Sequence, residues 1–132
     1  MNSPVTPALL DTAVMVACVN GHPPATRFFL AINRLGPTRF SRLTAITMLS
    51  GCQTDAERAL VLRFLATARI EELTDVIARR AVDLLTATPL PTVLTPSDAI
   101  VAATAIEHSL PLYTLDPARF ATVPGLATIR PY

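Results

Sequence analysis

Residues 95–120, TPSDAIVAATAIEHSLPLYTLDPARF, decide the fold that we predict for this chain. Residues 96–108 form a helix pattern that is apolar nearly all round, which predicts that this helix is deeply buried. Residues 112–115 then predict a short strand, and residues 116–120 predict a turn. A buried helix followed at once by a short apolar strand is typical of a parallel sheet that is covered by helices.

The same alternation continues towards both ends of the chain. The apolar run at residues 8–10 stops at Asp11 and predicts a first buried strand. Further helices are predicted at residues 11–19, 24–34, 54–65 and 74–85. Further strands are predicted within residues 39–46 and at 69–73 and 127–130, and a proline-rich loop is predicted at 88–96. We therefore predict one α/β domain over residues 1–132, with a mainly parallel sheet and helices on both of its faces.

The composition excludes several classes of protein. Of the 132 residues, 51% are hydrophobic and 16% are charged, which indicates a compact domain and excludes a disordered chain. The longest apolar run, residues 99–106, is too short to span a bilayer. The N-terminal MNSPVTPALL lacks the basic region of a secretory signal. We therefore expect a cytoplasmic protein in which Cys18 and Cys52 are free thiols.

The net charge does not indicate a nucleic-acid-binding protein of the usual strongly basic kind. The 11 basic residues are all arginine, and 10 acidic residues bring the formal net charge to +1. If RNA is the partner, local arginines such as Arg34, Arg39 and Arg42 would contact its phosphates, a role that suits the guanidinium group. A solvated surface that carries arginines explains the same three residues.

Three aspartates are the candidates for chemistry. Asp11 follows the first predicted strand, Asp98 lies at the start of the buried helix, and Asp116 follows the strand at 112–115. Because the carboxyl ends of parallel strands meet at one edge of a sheet, we expect these side chains to converge there. Carboxylate oxygens suit Mg²⁺ or Mn²⁺, and such a cation can activate a water molecule and hold a scissile phosphate.

Each aspartate also has a purely structural explanation. Asp98 completes a capping box that begins at Thr95, with proline at the first helical position. Asp116 precedes Pro117, a dipeptide that is common in turns, and Asp11 could cap the helix that follows it. The spacing of these residues alone leaves both interpretations open.

Four segments of the chain resemble the PIN-domain family, and in particular its VapC-like toxins. They are LLDTAVMVACVNGHPP at residues 9–24, LTDVIARRAVDLL at 73–85, the block at 95–120 and VPGLATIRPY at 123–132. The resemblance implies a three-layer α/β/α sandwich with a short, mainly parallel central sheet. It also implies an endoribonuclease that uses Mg²⁺ or Mn²⁺ to activate water and that is the toxin of a type II toxin–antitoxin pair.

The resemblance assigns roles to five residues. Asp11, Asp98 and Asp116 match three acids of the family's quartet and would be catalytic residues and metal ligands. Thr12 and Thr114 match hydroxyl residues that would support those acids from outside the ligand set. The implied partners are an RNA substrate, a cognate antitoxin and a second copy of the chain.

The sequence departs from the family pattern at two places. Ala13 replaces an asparagine that often supports the site. The second acid, a glutamate, is missing, and an ungapped match puts Ser50 at its position. Asp55 or Glu57 could substitute for it, although both also fit a helix N-terminus after Thr54.

Two hypotheses of function follow. The first is an active Mg²⁺-dependent endoribonuclease toxin, inhibited by an antitoxin. The second is a catalytically degenerate PIN-like domain that serves as a binding or assembly module. Phe28, Phe29 and Ile32 could form a homodimer or antitoxin interface, and packing in the core explains them as well.

Overall fold

The computed structural model describes residues 7–132 as a single parallel sheet with helices on both faces. The strands are β1 (Leu9–Leu10), β2 (Arg39–Ser41), β3 (Arg69–Glu71), β4 (Leu112–Tyr113) and β5 (Thr128–Ile129). The helices are α1 (Thr12–Val19), α2 (Pro23–Asn33), α3 (Arg42–Ser50), α4 (Asp55–Thr67), α5 (Asp75–Ala87) and α6 (Pro96–Glu107). The strand order is β3-β2-β1-β4-β5, and every neighbouring pair is parallel. The predicted α/β/α fold is confirmed.

The two residues of β1 and of β4 supply two separate cores. Leu9 and Leu112 are fully buried in the cluster that includes the apolar residues of α5 and α6. Leu10 and Tyr113 are buried in the cluster on the other face, with residues of α1, α2, α3 and α4. Successive side chains of a strand point to opposite faces of the sheet, so two residues are enough to anchor both helical layers.

The strand predicted within residues 39–46 is confirmed as β2, which ends at Ser41. The chain turns into α3 there, because the Ser41 hydroxyl accepts a hydrogen bond from the Leu43 N–H (3.1 Å) and caps the helix. Thr44, Ala45 and Met48 are buried, a spacing that places them on one helical face. The β-branched residues of this segment favour a strand locally, and burial of this helical face overrides that preference.

The structure confirms the capping box that the sequence predicted at the N-terminus of α6. Thr95 accepts a hydrogen bond from the Asp98 N–H (3.1 Å), and the Asp98 carboxylate accepts one from the Thr95 N–H (2.9 Å). This capping box fixes the start of the helix at the carboxyl edge of the sheet. Cys18 and Cys52 are free thiols, as expected.

The remaining sequence expectations concern the chain ends and the bilayer. None of the helices within residues 7–132 is long and apolar enough to cross a membrane. The expectation about the N-terminal segment concerns mainly residues 1–6, which lie outside the described residues.

Candidate active site

The three aspartates line one cavity at the carboxyl edge of the sheet. Asp11 follows β1 directly and Asp116 lies three residues after the end of β4, while Asp98 comes from the first turn of α6. Strands β1 and β4 are adjacent, so their following residues are neighbours at this edge. The cavity has a volume of about 230 Å³, and Thr12 and Thr114 also line it.

Asp11 is held by two hydrogen bonds. Its Oδ1 accepts the N–H of Thr12 (2.8 Å), and its Oδ2 accepts the hydroxyl of Thr114 (2.9 Å). Burial raises the pKa of the Asp11 carboxyl above its usual value, while the bonds from Thr114 and Thr12 oppose this rise and the charge of Asp98 adds to it. Asp11 is therefore both the cap of α1 and a carboxylate that faces the cavity.

The two threonines connect the aspartates to the sheet and to α3. The Thr114 hydroxyl donates to Asp11 and also accepts the N–H of Asp116 (3.1 Å), so one buried side chain orients both acidic segments. The hydroxyls of Thr12 and Thr44 lie 2.9 Å apart and share a hydrogen bond. The side chains that the sequence predicted as supports are thus in contact with the predicted acids or with α3.

Asp98 has both of the roles that its sequence position suggested. It is only 8% exposed, and its Oδ2 accepts the N–H of Thr95 in the capping box. The same oxygen also accepts a hydrogen bond from Arg119 Nη1 (3.2 Å). Its structural role as a cap therefore does not exclude a role in the cavity.

Arg119 is a cavity residue that the sequence reasoning missed. Its Nη1 lies 3.2 Å from Asp98 Oδ2 and its Nε lies 3.4 Å from Asp116 Oδ2. The hydrogen bond to Asp98 raises the pKa of the Arg119 guanidinium, and the pairing with Asp116 adds to this. The available signal was its spacing, because Arg119 follows Asp116 by three residues and the 3₁₀ turn Pro117–Phe120 brings them together.

The side chain of α3 that reaches the cavity is Thr47, whereas Ser50, which the ungapped match put at the missing glutamate's position, does not line it. Thr47 lines the cavity together with the aspartates. Ser50 is exposed, and its hydroxyl donates to the backbone carbonyl of Thr47 (3.0 Å). One helical turn separates the two residues. Ala13 also lines the cavity, without the amide that the family pattern supplies.

Asp55 and Glu57 do not substitute for the missing acid. Thr54 caps α4 by accepting the Glu57 N–H (3.1 Å), and the Glu57 carboxylate accepts the Gln53 N–H (2.7 Å). Asp55 pairs with Arg58 (2.6 Å). Their interpretation as residues of a helix N-terminus is confirmed.

The donor chemistry of the cavity suits a hard divalent cation, but the ligand set is incomplete. Asp11, Asp98 and Asp116 supply carboxylate oxygens of the kind that Mg²⁺ and Mn²⁺ prefer. Within residues 7–132, no three His, Cys, Asp or Glu side chains are already arranged to hold a metal ion, so the three aspartates would have to close around a cation. In the arrangement described here, Arg119 supplies the positive charge that faces two of these acids.

Two of the three arginines that were considered for RNA contact are engaged elsewhere. Arg39 pairs with the nearly buried Glu71 (2.7 Å), which also accepts contacts from Arg69 Nε (3.1 Å) and His108 Nε2 (3.2 Å). Arg42 pairs with Glu72. We call Glu71 and its three partners the Glu71 cluster.

The apolar residues of α2 are mostly part of the core. Phe28 and Ile32 are buried, and the ring of Phe28 packs edge-on against that of Tyr113 at 4.6 Å. Phe29 is half-buried, with its ring centroid 5.2 Å from that of Phe64. Core packing therefore explains Phe28 and Ile32.

Comparisons with known proteins agree with the fold. The sequence pattern of the PIN domain family matches residues 8–126. Over 77 residues, the chain is 35% identical to ribonuclease VapC10 of Mycobacterium tuberculosis, a match that spans 58% of this chain and 57% of the relative's length. A toxin–antitoxin complex from Klebsiella pneumoniae is similar in structure, with a TM-score of 0.76 and 28% identity over 95% of this chain and 98% of that one. VapBC2 from Rickettsia felis, bound to a promoter DNA fragment, has a similar fold, with a TM-score of 0.80 and 18% identity over 92% of this chain and 96% of that one.

Proposed function

The chain belongs to the PIN-domain family, and we propose that it is a divalent-cation-dependent endoribonuclease of the VapC type, the toxin of a toxin–antitoxin pair. One observation carries the proposal: Asp11, Asp98 and Asp116 come from three separate segments and line the same cavity of about 230 Å³. Mg²⁺, or Mn²⁺ in its place, is the proposed cation, because the donors offered are carboxylates.

Each residue of the site has a task in this reaction. Asp11, Asp98 and Asp116 would hold the cation, which supplies the activated water and charge stabilisation at the scissile phosphate. Thr114 fixes Asp11 through its hydroxyl and Asp116 through its backbone N–H, so these two acids keep a constant relative orientation. The capping box holds Asp98 on the first turn of α6. Groups that are positioned before the substrate arrives reduce the entropic cost of reaching the transition state.

The proposed partners are an RNA substrate, an antitoxin and a second copy of the chain. The related proteins named above include a ribonuclease and members of toxin–antitoxin complexes, which supports the first two. We place the protein in the cytoplasm, where free thiols such as Cys18 and Cys52 remain reduced. Light scattering of the purified chain tests the homodimer, and a monomer at high concentration would contradict it.

RNA cleavage by wild type and Asp116→Asn tests the function. We expect Mg²⁺- or Mn²⁺-dependent cleavage of structured RNA that EDTA abolishes, and a loss of about a hundredfold or more in the variant. Asp75→Asn is the matched control, since Asp75 is exposed on α5, pairs with Arg79 (2.8 Å) and does not line the cavity. Equal cleavage by wild type and Asp116→Asn would refute the proposal.

A second candidate is a PIN domain that no longer cleaves and acts as a binding module. The observation in its favour is Thr47, a neutral side chain at the cavity position on α3 where a fourth carboxylate could have completed the site. This candidate predicts that an antitoxin or a second copy still binds when no cation supports cleavage. The same assay decides between the two candidates.

A further inference from the structure

The acidic cavity has one positive charge of its own. Among the residues that line it, within the part of the chain that the structure describes, Arg119 is the only basic one. Its guanidinium contacts Oδ2 of both Asp98 (3.2 Å) and Asp116 (3.4 Å). The two acids come from different elements, α6 and the 3₁₀ turn, so the contact joins parts of the site that the backbone does not connect directly.

The position of Arg119 conflicts with binding of a cation at the same oxygens. Its two N–H groups occupy lone pairs on Asp98 Oδ2 and Asp116 Oδ2, and a metal ion needs such lone pairs as ligands. A divalent cation beside these acids would also repel the guanidinium. The Arg119 side chain is 40% exposed, so it can leave the acids for solvent without disturbing the core.

We propose that Arg119 is the internal counter-ion of the cation-free site, which holds the Asp98 and Asp116 carboxylates together until a divalent cation displaces it. Arg119 is thus a positioning residue that sets the affinity of the site for the cation. The inference rests on the proposed function for the presence of a cation site, but it does not require that the loaded protein cleaves RNA.

The size of the effect follows from the exposure of the two contacts. Both pairs share the solvent-exposed Arg119 side chain, so each is individually weak, and a cation has to break both of them. Release from this competition should therefore tighten cation binding by about tenfold.

Calorimetric titration with Mn²⁺ of wild type, Arg119→Gln and Arg79→Gln tests the inference. Arg79 is an exposed arginine of α5 that is paired with Asp75 and does not line the cavity, so it is the matched control. We expect Arg119→Gln to bind Mn²⁺ about tenfold more tightly than wild type and Arg79→Gln to bind like wild type. Unchanged or weaker binding by Arg119→Gln overturns the inference, and so does the absence of Mn²⁺ binding in all three proteins.

Thermal unfolding with and without Mn²⁺ separates a counter-ion from an ordinary structural salt bridge. Without Mn²⁺, Arg119→Gln should melt below wild type, because two carboxylates lose their shared partner. At saturating Mn²⁺ the difference should vanish or reverse, since the cation then takes over the role of the guanidinium. A difference that stays constant with Mn²⁺ would identify a purely structural contact and overturn the inference.

Failure of the inference can be told apart from failure of the proposed function. Tighter Mn²⁺ binding by Arg119→Gln without RNA cleavage by any variant supports the counter-ion and refutes the ribonuclease. Cation-dependent cleavage by wild type together with equal Mn²⁺ affinity in wild type and Arg119→Gln supports the ribonuclease and overturns the counter-ion.

Discussion

The Glu71 cluster and the acidic cavity both combine carboxylates with arginine, and their charge balance is opposite. The Glu71 cluster combines one carboxylate with Arg39, Arg69 and His108. The acidic cavity combines three carboxylates with a single guanidinium, that of Arg119. The first has more cations than anions, and the second has more anions than cations.

The difference separates a structural ion cluster from a binding site. The Glu71 side chain is 7% exposed, and its carboxylate has contacts from three residues, so it has little capacity left for a ligand. Buried charges are tolerated when they are paired in this way. The aspartates of the cavity keep more negative charge than their one guanidinium can balance, and that excess favours a cation.

The largest expected effect is the loss of stability in Glu71→Gln, which tests the structural role of the Glu71 cluster. The substitution leaves Arg39 and Arg69 without their anionic partner, which should lower the free energy of unfolding by about 3 kcal/mol. Asp116→Asn removes one of several neighbouring negative charges and the exposed pair with Arg119, so it should lower the free energy of unfolding by less than about 1 kcal/mol. Urea denaturation of both variants measures this, and Mn²⁺ affinity should be unchanged in Glu71→Gln. A larger loss of stability in Asp116→Asn than in Glu71→Gln would reverse the comparison.

The next effect concerns the excess of negative charge in the cavity. Thr47→Glu adds a fourth carboxylate at the α3 position that lines the cavity, which should tighten Mn²⁺ binding by about tenfold, because affinity rises with the number of charged ligands. Ser50→Glu is the control, since it places the same group one helical turn away on an exposed position. Calorimetry compares the two. A gain in Ser50→Glu with none in Thr47→Glu would mean that Ser50 holds the position of the missing acid after all.

The smallest expected effect is a pH dependence of stability that originates at Asp11. Burial raises the folded pKa of the Asp11 carboxyl above its usual value of 3.8, so between the two values the folded protein binds more protons than the unfolded chain. The free energy of unfolding should therefore fall as the pH rises from near 3.8 through the folded pKa, and this decrement should persist at higher pH.

Asp11→Asn should remove that contribution, while the exposed Asp75→Asn should keep it. Urea denaturation of the cation-free proteins between about pH 4 and about pH 7 measures the slopes. Parallel pH profiles for wild type and Asp11→Asn would show that burial of Asp11 carries no such penalty.

Much of the fold could be predicted because its signals are local. The buried helix at 96–108 was placed within one residue of α6, since Thr95, Pro96 and Asp98 specify its start chemically. The alternation of apolar strands and amphipathic helices indicated a parallel sheet, and a parallel sheet brings its carboxyl ends to one edge. For that reason the convergence of Asp11, Asp98 and Asp116 was predictable without coordinates.

The rest of the site depended on information that local patterns do not carry. Residues 43–47 are rich in residues that favour strands, so the sequence did not reveal α3, and only the burial of Thr44, Ala45 and Met48 makes the helix preferable. Arg119 looked like any surface arginine, because its two partners are identified only when α6 and the 3₁₀ turn are seen together. Similarly, the contact between His108 and Glu71 joins residues that lie far apart in sequence.

The shortness of β1 restricts how this site can evolve. Leu9 belongs to one core, Leu10 to the other, and Asp11 follows at once in the cavity. An insertion or deletion of one residue here would exchange the faces of both leucines and carry the aspartate out of the cavity in the same step. A point mutation can therefore remove an acid from the site, but an insertion or deletion in β1 cannot move that acid to another position in the cavity. Three consecutive residues, Leu9, Leu10 and Asp11, thus determine both the packing of the sheet and the position of one acid of the cavity.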